Sequence, residues 1–547
     1  SRVHNSSLGA KLLSTDNERE AMDLAWALHD CNERRKLIQK DMLKAAENRI
    51  SALSLNDDPI LIVDLPDGHA GLAGIVAGRL KDKYQKPACV ITYADTDNGR
   101  EGRGSGRSIK GISMADLFQA AFEKEIIIKG GSFERSLKET SNSLLVIQKE
   151  DIKSGGYQHF EDAITLIPNL NSSGGTSRAR YFQIRGIGEL SQFSGEGPPH
   201  FYVGYIMDDI DFSGIGMAGL LSDIKQIEVF KGPQSSIYGP NAMAGMINIS
   251  SNDPTPHREA QLSILGGDDN HMGVSGYYSS ALTYNLFHRV SLFINKSDGF
   301  RENQYLNITD SNKRDEMMLR YKLFYSPSDN LSVKLTYYLI DIKNGYDIWS
   351  ADNNGFITYS DYLGKDSQKA NAFSVKTNLR LKENLKLSSI TSYSINDIEY
   401  NYDSDWANDE FWKNNYDWYP ESESYDFEDA SLFAWGYYPY TFTDETTRKR
   451  DNISQELRIS GKNTLGGVYI SKTTEDDLRK GYLMGGNVDS LASYFEILSI
   501  SAYASSEWEL TDELSLVARL RAESNSIKSD VDTKAYGFDA GSFNEET

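Results

Sequence analysis

From Glu259 onward the chain alternates apolar and polar residues in segments of about ten, divided by polar loops. Leu331, Val333, Leu335, Tyr337 and Leu339 share one phase, and Ser332, Lys334, Thr336 and Tyr338 the other. Phe373, Val375, Leu379 and Leu381 alternate in the same way with Ser374, Lys376, Asn378 and Arg380. Leu514, Leu516, Ala518, Leu520 and Ala522 repeat the pattern near the end. A period of two predicts strands with one apolar and one polar face, and roughly ten to twelve such segments are present. The first part of the chain reads differently. Leu24, Leu28, Cys31, Ile38, Met42 and Ala45 recur at helical spacing, which predicts one long helix over 16–50 capped by Ser14 or Thr15. A strand at 59–66, a helix at 71–84 and a strand at 87–94 follow as a β-α-β unit, and 99–108 then reads as a solvated basic glycine loop. Between these regions, 143–148 reads as a strand and 157–166 as a helix. Residues 223–254 read as a small sheet with tight turns at Gly232-Pro233 and at 238–241.

Charge divides the chain at the same place. Residues 1–124 balance 18 basic against 18 acidic side chains, so the net charge of −22 belongs to the remainder. Trp26, Tyr84, Tyr93, Phe118 and Phe122 are the only aromatic residues before residue 125, although the chain holds 22 Phe, 7 Trp and 32 Tyr. Cys31 and Cys89 both lie in this first part and read as small buried hydrophobes, not as a redox pair. No apolar run is long enough for a membrane helix, and residues 1–20 are too polar for a signal peptide. No metal site and no catalytic constellation is read.

The stretch 223–254 resembles the plug domain of TonB-dependent outer-membrane receptors. Asp223-Ile224, Ile227-Glu228-Val229, Gly232-Pro233, Tyr238-Gly239, Asn241-Ala242, Gly245 and Ile247-Asn248-Ile249 stand in the family's order, after Ile184-Arg185-Gly186. The resemblance implies a plug over 125–255 and an antiparallel transmembrane β-barrel over 256–547. It further implies a transporter without chemistry or cofactor, outer-membrane lipid around it, and a scarce nutrient ligand such as a ferric chelate. Arg185 and Glu228 are expected in a polar network between plug and barrel wall. Glu125, Ile126, Ile127 and Ile128 open the segment 125–131, which looks like a TonB box, the strand that pairs with the energy-transducing protein TonB. The alternative for 125–128 is a last strand of the preceding domain. The acidic, aromatic stretch 401–446 is expected as a large external loop. The barrel looks incomplete, since the family has about twenty-two strands and this chain ends in a polar stretch.

The first part is similar to RecJ-type single-strand-specific exonucleases: the long helix (1–54), then the DHH-associated domain (55–124). The match rests on 67–69, 74–80, 86–88 and 104–109. It implies that Arg103 and Arg107 contact phosphates of single-stranded nucleic acid. Backbone N–H groups of Gly104 and Gly106 and the hydroxyls of Ser105 and Ser108 would help, with His69 facing the same cleft. The family's metal-binding DHH motif is absent from this sequence, so no nuclease activity is expected. The fold class is therefore multidomain: an α/β fragment with a long helix, an α+β plug and an incomplete antiparallel barrel. Two families that work in different compartments meet near residue 124, and an artificial join of two genes is favoured over a working fusion. The alternative function is a nucleic-acid-binding remnant in residues 1–124.

Overall fold

A computed structural model describes residues 7–15, 17–52, 58–96, 99–109, 127–128, 135–136, 143–173, 177–189, 198–216, 221–415, 441–483, 486–511, 514–535 and 538–546. The chain divides into two compact units, 1–127 with 135–140, and 128–134 with 141–547.

In the first unit a helix runs from Glu18 to Ala52, after a short one at Ser7–Ser14. Its start is fixed by Asn17, whose Oδ1 accepts from the N–H groups of Arg19 (3.0 Å) and Glu20 (3.2 Å). Asn17, not Ser14 or Thr15, is therefore the cap; its side chain satisfies two of the free N–H groups of the first turn. Met42, Ala46 and Ile50 are buried at the C-terminal end. There the helix meets the strand Leu61–Leu65, and Arg49 grips Asp64 with two hydrogen bonds of 2.9 and 2.8 Å. Leu61–Leu65 pairs in parallel with Ala88–Thr96, and the helix Ala73–Tyr84 connects them. Residues 99–108, expected as a solvated basic loop, contain a third strand, Gly99–Arg107, antiparallel to Ala88–Thr96. The glycines there alternate with Arg103, Ser105 and Arg107 at period two, and that spacing suits a strand.

In the second unit a small mixed sheet has the strand order 210–211, 203–207, 245–251, 224–231, 144–148. Val203–Met207 lies parallel to Gly245–Ser251, and Ile224–Lys231 runs antiparallel between Gly245–Ser251 and Leu144–Gln148. Ile227, Val229, Ile247 and Ile249 are fully buried. The expected helix at 157–166 is shorter, Phe160–Ile164, because Asp162 accepts from the N–H of His159 at 3.0 Å and caps it there.

The alternating segments form a twelve-stranded antiparallel sheet from Glu259–Gly266 to Phe538–Glu546. Among the described residues these two end strands do not pair with each other. One face packs on the small sheet. Tyr338, Ile340 and Ile342 of Leu331–Gly345, with Phe293, Met318, Ala370 and Ala372, belong to the same buried cluster as Phe182, Tyr205 and Ile247. The other face leaves Leu387, Leu457, Ile459, Val468, Ile500, Leu514, Leu516 and Leu520 exposed. No described helix is long and apolar enough to cross a membrane, which says nothing of strands.

Candidate functional site: a charged seat between the small sheet and the wall

Turns of the small sheet aim carboxylates outward. Asp208, Asp209 and Asp223 all adopt left-handed backbone (φ 46°, 68° and 55°), a conformation that Asp tolerates better than bulkier residues. Each meets a cation on the inward face of the large sheet. Asp208 takes the Lys322 ammonium at 3.1 Å and the hydroxyls of Tyr338 and Ser251. Asp209 takes Lys376 at 2.9 Å. Asp223 holds Arg289 through Nε (2.7 Å) and Nη2 (2.6 Å), while Arg320 donates to its backbone oxygen at 3.0 Å. Burial pushes the Asp208 carboxyl up, but Lys322 and Arg320 outweigh it and hold the group below the usual carboxylate range. The same contest, won by Lys376 and Lys334, lowers Asp209.

The signs reverse on the other side. Arg178 and Arg180, just before the strand Tyr181–Ile184, both reach Asp366 on Lys365–Lys382. All three side chains are at most 1% exposed. Arg180 also stacks over Tyr400 at 4.8 Å. Arg450 of the wall donates to the Ser213 backbone oxygen at 2.7 Å. His159 joins Glu316 at 2.6 Å. Burial pushes His159 down, and the Glu316 carboxylate more than restores it, so its pKa is raised.

The residues singled out from sequence sit elsewhere in this unit. Glu228 is buried within the small sheet and accepts from Gln226 and from Asn248 (2.9 Å). Arg185 is exposed, left-handed at φ 55°, and donates to Ser143 Oγ at 2.9 Å. These contacts lie inside the small sheet's own unit. Arg185 stands in the turn before Gly186, whereas Glu228 is mid-strand in Ile224–Lys231, opposite Asn248; ion pairs to the wall are made by His159, Arg178, Arg180, Asp208, Asp209 and Asp223. Gly186 and Gly232 are left-handed turn residues and Pro233 is exposed. Asn241 ties two segments, accepting from Phe201 N at 3.1 Å and donating to Asp211 at 3.3 Å. Gly239 lies against the wall: a Cβ there would stand 3.1 Å from Arg521, and its φ is 78°. A Cβ on Gly245 would meet the Phe230 oxygen at 2.3 Å. Of the expected TonB box, Glu125 and Ile126 lie outside the described residues, and Ile127–Ile128 is a two-residue strand. Residues 416–440 of the expected external loop also lie outside them.

In the first unit Arg103 and Arg107 are exposed and share a strand phase with the half-buried Ser105, while Gly104 and Gly106 alternate with them. Ser108 follows the strand, exposed. His69 Nδ1 accepts from Gly71 N at 3.1 Å and caps the short turn Ala70–Leu72.

A small mixed sheet tied by ion pairs to one face of a long antiparallel sheet has counterparts among known proteins. The profile described as "TonB-dependent Receptor Plug Domain" matches residues 136–246. Those residues are a TonB-dependent receptor plug domain. The chain superposes on the ferric yersiniabactin uptake receptor FyuA of Yersinia pestis with a TM-score of 0.62. The identity is 15%, over 75% of this chain and 61% of that one, so the likeness is one of fold. The vitamin B12 transporter BtuB of Vibrio vulnificus is 24% identical over 249 residues, 42% of this chain and 39% of that protein. The N-terminal part is similar to the single-stranded-DNA-specific exonuclease RecJ of Haemophilus influenzae, 35% identical over 122 residues. That stretch is 22% of this chain and 20% of the exonuclease. The chain thus spans less than two thirds of each of these relatives.

Proposed function

We propose that residues 125–547 act as a TonB-dependent outer-membrane receptor. It takes a scarce nutrient, a ferric chelate or similar complex, from the outer side and is driven by TonB pulling on 125–131. The observation that carries this reading is the outward face of the large sheet. From Leu331 to Leu339 the outward residues Leu331, Val333, Leu335, Tyr337 and Leu339 are all apolar or aromatic. At about 3.3 Å per residue they cover ~26 Å of strand, or ~20 Å along the membrane normal at a tilt of about 40°, close to the ~25 Å apolar band of an outer-membrane barrel. Aromatic residues flank the band. Trp508 and Tyr325 are exposed near the short turns. At the other edge Tyr337, Phe373 and Tyr393 lie directly opposite one another on adjacent strands. The plug seats on the polar inward face, as a gate inside a barrel must.

The ligand reading is tested by titrating the full chain in micelles with ferric catecholates, ferric hydroxamates and cyanocobalamin, following tryptophan fluorescence. Saturable quenching by one iron chelate supports it, and no response to any of them sinks the nutrient assignment. We further propose that residues 1–124 take no part in transport and derive from a separate RecJ-like gene. An unbroken DNA read across codons 110–140 of the source genome would contradict that origin.

A further inference from the structure

One end of the wall carries tight turns, as at 328–331 and 460–464, and the other carries long connections, as at 345–365 and 403–442. Outer-membrane barrels keep their long connections on the outer side. There Trp349 and Trp406 stack, with ring centroids 5.7 Å apart and planes at 25°. Both rings are open to solvent, at 46% and 42% exposure. Three and four residues earlier, Tyr346 and Tyr402 pack edge to face at 5.6 Å. Tyr400 lies under Arg180 of the plug at 4.8 Å. The exposed pair therefore tops a column of rings that ends on the plug. The platform is fixed from both sides: Asp361 N donates to the Ala407 oxygen at 3.1 Å, and Asn408 Nδ2 to the Tyr359 oxygen at 2.7 Å.

Charge decides what such a platform takes. Most carboxylates at this end are matched: Asp444 by Arg479, Glu399 by Lys365 and Asp409 by Lys413. Asp361, Asp403 and Asp405 differ, because among the described residues none of the three takes part in an ion pair. They sit together. Asp403 accepts from the N–H groups of Asp361 and Asp405, each at 3.2 Å. Asp405 accepts from Phe442 N at 2.7 Å and from Ala407 N at 3.1 Å. Asp403 and Asp405 are buried, and the half-buried Asp361 has an Oδ1 with no hydrogen-bond partner. Burial pushes all three carboxyls up, and neighbouring carboxylate charge adds to it. Trp406 follows Asp405 directly, so the platform and this negative charge share one turn. The sequence 416–440 adds six acidic residues and no lysine or arginine.

An apolar ring platform beside uncompensated negative charge suits an occupant with an apolar body and a positive group. Among ferric chelates this is selective. Three dianionic catecholates leave ferric iron with surplus negative charge, which these carboxylates repel. Three monoanionic hydroxamates leave it neutral, and an ammonium group on the same ligand makes it a cation. We propose, on the receptor reading above, that Trp349 and Trp406 seat a ferric trihydroxamate bearing a free ammonium group, with Asp361, Asp403 and Asp405 as its counter-charge. The rings cover the polymethylene stems, and the carboxylates take the ammonium.

Ferric desferrioxamine B carries such an ammonium, and its N-acetylated form is the same chelate without the charge. Isothermal titration calorimetry on the full chain in micelles compares the two, with a ferric tris-catecholate and cyanocobalamin alongside. The ammonium form is expected to bind roughly tenfold more tightly than the acetylated one, and the tris-catecholate not at all. The ratio falls to about one in Asp361→Asn/Asp403→Asn, whose near-UV circular dichroism verifies folding. In Trp406→Ala both hydroxamates weaken together and the ratio persists. Glu496→Gln, which removes a carboxylate already held by Lys472 at 2.8 Å, leaves the ratio unchanged. Equal affinity of wild type for the two hydroxamates overturns the proposal whatever the variants do, as does a ratio that survives the carboxamide variant or tighter binding of the tris-catecholate. Binding of cyanocobalamin or the tris-catecholate alone defeats this inference and leaves the receptor reading standing, whereas no binding of any of the four defeats both.

Discussion

Arg178 of the plug grips Asp366 of the wall through Nε at 3.1 Å and Nη2 at 2.8 Å, with both side chains at 0% exposure. The two residues are 188 apart in the chain. Asp366 also takes Arg180 at 2.7 Å and the Ser177 hydroxyl at 2.7 Å. One carboxylate therefore compensates two buried guanidinium groups. Removing it strands both, and breaking a buried pair from one side costs about 3–5 kcal/mol. Asp366→Ala is expected to unseat the plug, seen as faster proteolysis after residue 170, with the wall strands still protected. Replacing Arg178 and Asp366 together by Met and Leu is expected to recover part of the loss. Unchanged proteolysis in Asp366→Ala would show that the seat is held by packing alone.

The seat has a pH dependence with two limbs. His159 has a raised pKa beside Glu316. Its contribution is complete below the ordinary histidine value and fades as pH rises through the folded value. Asp208 is depressed by Lys322 and Arg320. Its contribution is complete above the ordinary aspartate value and fades as pH falls toward the folded one. Hydrogen exchange of residues 203–211 is expected to accelerate in acid, and that of 158–164 in mild alkali. His159→Gln flattens the alkaline limb only. A limb that survives His159→Gln unchanged would remove His159 from the account.

Two motif glycines are required for close approach. Gly245→Ala drives a methyl group to 2.3 Å from the Phe230 oxygen. Gly239→Ala combines a left-handed backbone with contact on Arg521. Left-handed backbone costs an L-residue roughly 1–2 kcal/mol, and overpacking typically 1–3 kcal/mol. Denaturant midpoints are expected to fall in both variants, more for Gly245→Ala, because its obstacle is backbone. Gly186→Ala has nothing within 4 Å of its added Cβ and bears only the conformational cost at φ 79°.

The outward face separates a membrane wall from a soluble sheet. Leu335→Arg, at mid-band, is expected to destabilise the inserted chain by about 2–4 kcal/mol in lipid and to do little in urea-solubilised chain. Ser367→Arg, beyond the aromatic row on the adjacent strand, is expected to cost close to nothing. Equal effects at the two positions would argue for a sheet without a lipid boundary.

Much of this fold is legible in local pattern. Period-two alternation places the wall strands and even their facing: Tyr338 lies inward and buried, and Phe373 outward. The I-E-V, G-P and I-N-I runs become paired strands and turns of the plug sheet. The seat is harder to read. Arg178 and Asp366 are joined only by tertiary structure, and nothing local links residues so far apart. A signal does exist: Glu316, Arg320 and Lys322 occupy the inward phase of Arg314–Ser328. Charges on the buried phase of a strand demand opposite charges on whatever fills the interior, and the Asp208-Asp209 turn supplies them. The strand Gly99–Arg107 is missed for another reason. Glycine-rich sequence favours a loop by propensity, and the neighbouring strand Ala88–Thr96 overrides it through pairing.

The proposed coupling to TonB runs through 125–131. The most direct measurement is binding of the purified full chain, in micelles, to the C-terminal domain of TonB by surface plasmon resonance, with Ile127→Pro as control. Saturable binding that Ile127→Pro abolishes is expected, because proline removes a ladder hydrogen bond and blocks strand pairing. No binding, or binding indifferent to Ile127→Pro, would contradict the account.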